Sequence, residues 1–150
     1  MDQPGTGVEA TALSSGVAVA VRSNVGVKPG SPELSGAGAH RIALTHISGI
    51  FPSGLLFASV YMVTALGPKA ANLALLERLG QILCQQGAPW IVGMDANMSV
   101  DELLQTDWRR KVGGVLCAPS EHTCHQGAGR TIDYFVVAES LAGAVQKPKV

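Results

Sequence analysis

Along the chain, apolar blocks of strand length alternate with Gly, Pro and Ser clusters, and one longer stretch repeats its leucines at helical spacing. Gly16 to Arg22, a run of Val and Ala, predicts a first strand, and a loop rich in Gly, Pro and Ser follows from Lys28 to Gly38. Arg41–Ile47 and Leu55–Met62 predict two more strands, so the chain opens as a β-meander with an elaborated first connection. Pro68 suits the first turn of a helix, where its missing N–H is not needed. Leu73, Leu76, Leu79 and Leu83, widened by Leu75 and Ile82, give that helix an apolar face. Gly87 then provides a stop. A buried strand follows over Trp90–Ile91–Val92–Gly93–Met94. Ser99 and Glu102 have capping-box spacing, which predicts a short helix from Val100. Val112–Ala118 and Thr131–Ala138 read as the last strands. Strands grouped early, then a helix, then strands again predict an α/β layered sheet rather than a regular βαβ series. Residues 1–15, rich in Gly, Thr, Ser and Ala, read as a flexible lead-in to a domain spanning residues 16–150.

Composition narrows the class. A chain of 150 residues with 47% hydrophobic and 15% charged residues buries a core and is no disordered segment. A formal net charge of zero leaves no global footprint for nucleic acid or an anionic membrane, although a local cleft can still be basic. Cys84, Cys117 and Cys124 are odd in number and show no framework spacing, which predicts free thiols in a reducing compartment. With no signal-peptide pattern at Met1–Gly5, the expected setting is intracellular, cytoplasmic or nuclear. Ile42 to Pro68 holds no Asp, Glu, Lys or Arg and is long enough to span a bilayer. Pro52-Ser53-Gly54 interrupts it with turn chemistry, so two core strands explain it better than a membrane helix.

The chemistry gathers at strand ends. Asp95 and Asn97 close the Trp90 strand two residues apart, a spacing that puts i and i+2 side chains on one face. The alternative is an Asx turn leading into the Ser99 cap. Asp133 sits within the apolar run Thr131–Val137, where a carboxylate needs a partner if buried. Tyr61 ends the third strand. Acids and an amide without a nucleophilic Ser or Cys point to activated water or metal-assisted attack on phosphorus. Cys117, His122, Cys124 and His125 lie close together but match no common zinc spacing. Arg109-Arg110-Lys111 is the one dense basic run, and three charges are too few to argue nucleic-acid binding from.

Ser59-Val60-Tyr61, the helix from Pro68 to Gln86, Ile91–Met98 and Thr131–Leu141 resemble, in that order, pieces of the endonuclease/exonuclease/phosphatase superfamily. Its members include deoxyribonuclease I, apurinic endonucleases and retroelement endonuclease domains. The resemblance runs from about Gly16 to Leu141 and implies a layered α/β-sandwich of the deoxyribonuclease I-like type. It implies Mg²⁺-dependent hydrolysis of a phosphodiester or phosphomonoester, with nucleic acid or a phosphate ester as the partner and no call for a membrane or an obligate protein partner. Asp95 would orient or deprotonate the attacking water and Asn97 would hold the scissile phosphate. The Tyr61 hydroxyl would contact phosphate, and Asp133 would orient a histidine as the acid of a triad does. Arg130 is a weaker phosphate candidate, and His122-Thr123-Cys124 falls where the family has a loop bordering the cleft.

Several family features have no counterpart here. The family carries an early Asn and a Mg²⁺-binding Glu before the Gly16-like strand, whereas this sequence offers only Glu9 upstream. It also ends on an Asp-His pair, and no histidine follows His125. Met94 and Ala96 replace commoner residues, and Ser59 stands for Asn. Family domains are longer. The expectation is therefore a domain truncated at both ends, with an incomplete metal-ligand set and no activity of its own. A non-catalytic remnant or a nucleic-acid-binding module that keeps the sheet is the alternative.

Overall fold

A computed structural model describes residues 17–29 and 38–149; the lead-in expected at residues 1–15 lies outside them. Strands β1 (Val27–Pro29), β2 (Ile42–Ile47) and β3 (Leu55–Tyr61) are followed by helix α1 (Ala70–Gln85) and strand β4 (Trp90–Asp95). Short helices α2 (Val100–Gln105) and α3 (Trp108–Lys111) lead to strands β5 (Gly114–Cys117) and β6 (Asp133–Ala138). Single 3₁₀ turns occupy Ala39–Arg41 and Glu139–Ala144. The strands form one mixed sheet in the order β1-β2-β3-β4-β6-β5. Among the described strands only β3 and β4 run parallel, because α1 carries the chain from one end of the sheet to the other between them.

Alternation divides the sheet into two unlike faces. Leu56, Ala58, Val60, Val92, Met94 and Val136 are all at most 4% exposed and share the face that α1 covers. The helix meets them with Leu75, Leu76, Leu79 and Leu83. Leu73, expected on that face, is 41% exposed instead. The buried stripe runs through Asn72, Leu75, Leu76, Leu79, Gly80 and Leu83, which turns Leu73 toward solvent. Asn72 is fully buried but fully used. Its Oδ1 accepts from Val63 N–H at 2.8 Å, and its Nδ2 donates to the Val63 and Gly67 carbonyls at 3.1 and 2.8 Å. It thereby clips the β3–α1 connection to the helix. A buried amide is tolerated when its partners are all present.

The Gly16–Arg22 strand is a correction. Gly16 lies outside the described residues, and residues 17–22 form no strand; the first strand among the described residues is β1. Val17–Ala20 instead lie over the face that α1 leaves open, beside Phe57 and Phe135. β1 pairs with β2 over Val27↔Ile47 to Pro29↔Thr45, and its proline is tolerated because β1 is an edge strand. The predicted helix of residues 68–86 shortens to Ala70–Gln85 with Lys69 as N-cap. Gly87, at φ 61°, takes the left-handed conformation that ends it. The capping box at Ser99 and Glu102 forms in both directions. Pro52–Gly54 turns the chain between β2 and β3, and no helix of the described residues is long and apolar enough to cross a membrane.

Candidate active site

Register brings the singled-out residues together. Tyr61 pairs with Asp95 across the β3–β4 ladder, and Asp95 pairs with Asp133 across β4–β6. Directly paired residues project from the same face, so the three stand in a row about 5 Å apart along the sheet. The row crosses the open face and lies in a cleft of about 760 Å³. Gly93 keeps the floor low, since a Cβ there would come within 3.1 Å of the Phe135 ring.

Two carboxylates opposite each other on neighbouring strands repel, an arrangement that works against stability. Burial and the charge of Asp133 both raise the Asp95 pKa above its usual value, burial being the larger cause. The backbone amide of Asn97 acts in the opposite sense by favouring the ionised carboxylate. Asp95 Oδ1 is buried and has no hydrogen-bond partner among the described residues. A buried unpartnered carboxylate oxygen beside a second acid is a feature of sites that handle protons or cations. Asp133 is exposed at the head of β6, so it escapes the burial penalty that its apolar neighbours imply. It is held by its backbone: the Thr123 hydroxyl oxygen accepts from both Ile132 N–H and Asp133 N–H at 3.0 Å.

Asn97 does not share the strand face with Asp95. β4 ends at Asp95, and Asn97 adopts φ 48°, a left-handed conformation that asparagine tolerates better than most residues. Its Nδ2 donates to the Met62 carbonyl at 3.1 Å. Asn97 therefore forms the turn weighed as the alternative, with its side chain tied to β3 and its backbone amide toward Asp95.

Tyr61 is half-buried, and its hydroxyl lies 3.2 Å from Thr64 Oγ1. Arg41, not singled out in the sequence, places its guanidinium 5.2 Å from the centre of the Tyr61 ring. Only the pairing of β2 with β3 brings them together, which is why spacing along the chain gave no sign of it. Arg130 is exposed and bridges to Cys124 next to the cleft residue Thr123, but is not itself among the residues that line the cleft. The run Arg109–Lys111 is also outside the cleft; Arg109 donates to the Gly114 carbonyl at 3.0 Å, and Arg110 pairs with Asp107 at 3.4 Å.

No histidine lines the cleft, and among the described residues no three His, Cys, Asp or Glu side chains gather to hold a metal. Cys117 is buried, with its thiol pKa raised by that burial, and all three cysteines are free. The Asp95 and Asp133 carboxylates remain as a hard oxygen donor pair. Such a pair suits Mg²⁺, which binds through one or two carboxylates and keeps waters or substrate oxygens for the rest.

Comparison with solved structures identifies the fold. The endonuclease domain of TRAS1, a telomere-specific non-LTR retrotransposon, superposes with a TM-score of 0.60 at 16% identity, covering 81% of this chain and 59% of that one. CdtB, the biologically active subunit of cytolethal distending toxin, gives 0.50 at 20% identity, with 80% and 45% covered. The chain has the deoxyribonuclease I-like fold. No family model and no curated protein matches the sequence. At these identities the likeness is one of fold, and the chain spans about half the length of the two structures. Within that fold, the row from Tyr61 to Asp133 occupies the open face, where register and charge converge.

Proposed function

We propose that the cleft binds the phosphodiester backbone of a nucleic acid and hydrolyses it. The observation that carries this reading is the row Tyr61–Asp95–Asp133, with the unpartnered Asp95 oxygen at its centre. The superposition on the endonuclease domain of a retrotransposon favours nucleic acid over a soluble ester. Asp95 serves as general base, and its raised pKa moves it toward the range where a carboxylate exchanges protons readily. The water oxygen bonds to phosphorus, its proton passes to Asp95, the ester P–O bond breaks, and the leaving oxygen takes a proton from solvent.

Tyr61 and the Arg41 stacked on it supply donors to phosphate oxygens, with Arg41 offering a planar fork suited to that geometry. Asn97 acts through its backbone N–H on Asp95; a direct phosphate contact requires its amide to leave the Met62 carbonyl. Asp133 would offer a carboxylate to Mg²⁺, leaving Asp95 free as the base, and the ion when bound would supply neutralisation of phosphate charge. The decisive assay is Mg²⁺-dependent cleavage of plasmid DNA by the purified chain. Cleavage abolished in Asp95→Ala supports the reading, and cleavage unchanged in that variant sinks it.

A second reading is binding without turnover, favoured by the engagement of the Asn97 amide with the Met62 carbonyl. DNA retention with no cleavage in Mg²⁺ or Mn²⁺ would select it.

A further inference from the structure

Thr123 is the polar cleft residue whose hydrogen bonds define its chemistry most narrowly. It immediately precedes the hairpin closed by Cys124 and Arg130, and its hydroxyl reaches the backbone at the start of β6. Thr123 N–H and Cys124 N–H both donate to the Arg130 carbonyl, at 3.1 and 2.9 Å, and Arg130 N–H donates back to Cys124 at 2.8 Å. Thr131 Oγ1 donates to the Glu121 carbonyl at 3.0 Å and ties the same loop a second time. Thr123 is therefore held from both sides, and it lines the cleft with Asp95 and Asp133.

A threonine hydroxyl has two acceptor sites and one proton. Both acceptor sites of Thr123 are occupied by the N–H groups of Ile132 and Asp133. What remains is the proton, so in this fold Thr123 can act only as a donor. The two backbone groups approach from β6, and the O–H is left to the side away from that strand's backbone. The cleft beside it contains two carboxylates, which repel a phosphate anion, and the nearby Asn97 amide is engaged with Met62. An anionic substrate needs a donor on the Asp133 side of the row, because Arg41 stands at the opposite, Tyr61 end.

We propose that Thr123 is a substrate-contacting residue whose hydroxyl donates to a non-bridging phosphate oxygen beside Asp133. This rests on the nucleic-acid reading above and deepens it. A neutral hydrogen bond of this kind contributes on the order of 0.5–1.5 kcal/mol, which is about a 3- to 10-fold change in affinity. The same oxygen also caps the head of β6, so a loss of binding on mutation does not by itself separate contact from scaffold.

Sulfur in place of a non-bridging oxygen does separate them, because sulfur is the weaker acceptor. The probes are stereopure all-Rp and all-Sp phosphorothioate DNA oligonucleotides beside the unmodified strand, with binding followed by fluorescence anisotropy in EDTA. The wild-type chain is expected to bind one diastereomer about 3- to 10-fold more weakly than the other. Thr123→Ser keeps that preference, and Thr123→Val loses it. A folded Thr123→Val that retains the wild-type preference overturns the proposal and leaves Thr123 as a cap alone. If Thr123→Val does not fold, the wild type and Thr123→Ser still decide, since no diastereomer preference in either overturns it. Oligonucleotide binding and cleavage without any preference would refute the Thr123 contact while leaving the proposed function standing. Failure to bind any oligonucleotide, in EDTA and equally with Ca²⁺ in its place, would refute both.

Discussion

The two faces of the sheet are made by the same strands, and alternate residues of β3, β4 and β6 meet very different surroundings. On the α1 side, Leu56, Val60, Val92 and Val136 are packed out of solvent against Leu76 and Leu79. On the other side Phe135 is 37% exposed, two acids stand opposite each other, and one buried carboxylate oxygen has no partner. One face is closely packed, with the buried Trp108 Nε1 its one unpartnered side-chain atom among the described residues, and the other sets two acids opposite each other in one row. Residues that weaken a fold and are not compensated nearby are where function is to be sought. In this molecule stability and chemistry are separated by the two-residue period of a strand.

Substitution at Asp95 tests that separation most severely. Asp95→Asn keeps the shape and removes the charge, and DNA cleavage should fall by about 10²- to 10⁴-fold, the usual contribution of a general base. Its thermal midpoint at neutral pH should hold or rise, because the repulsion with Asp133 goes with the charge. Cleavage lost together with a lower midpoint would mean that Asp95 is structural and that the two faces do not divide as argued.

On the packed face the expectation reverses. Leu79 is fully buried beneath the sheet, and Leu79→Ala should cost about 2–5 kcal/mol through lost contacts and the cavity left behind. Phe135→Ala, on the open face, should cost clearly less, because its ring is partly in water already. Denaturant unfolding of both variants checks this, and equal losses would erase the contrast.

Much of this was legible in the sequence, for reasons that differ by residue. Strands β2, β3, β4 and β6 announce themselves by apolar runs, and the Ser99–Glu102 box marks α2 because capping is a local interaction. Tyr61, Asp95 and Asp133 could each be named from strand ends, but their alignment depends on register, which no local pattern carries. Val17–Val21 has strand composition, yet a strand needs a neighbour to pair with, and β1 took the place beside β2. Leu73 fits a leucine repeat, whereas the buried stripe is set by where α1 rests on the sheet. Arg41 and Arg130 look alike as isolated cations, and only the fold puts the first on Tyr61 and the second at an exposed hairpin.

That pair of arginines gives a milder test of where substrate lies. Arg41→Ala should weaken oligonucleotide binding by about tenfold and reduce the steepness of its salt dependence by roughly one phosphate contact. Arg130→Ala should change neither. Titrations across a range of salt concentrations measure both quantities, and an effect at Arg130 equal to that at Arg41 would move the binding surface away from the cleft.

The smallest expected effect is the pH dependence of stability, best measured in metal-free buffer. The Asp95 carboxyl titrates above its usual 3.8 in the folded chain and close to that ordinary value when unfolded. Between the two values the folded state holds more protons, so this group makes stability fall as pH rises through the interval. Below the ordinary value both states are protonated and the contribution vanishes. Asp95→Asn should therefore be more stable than the parent at pH 7, with the two curves converging below about pH 4. Asp133→Asn removes the neighbouring charge but not the burial, and burial is the larger cause of the shift. It should recover only the minor part of the difference at pH 7. A full recovery would show that repulsion, rather than the low-dielectric floor of the cleft, is what holds the Asp95 proton.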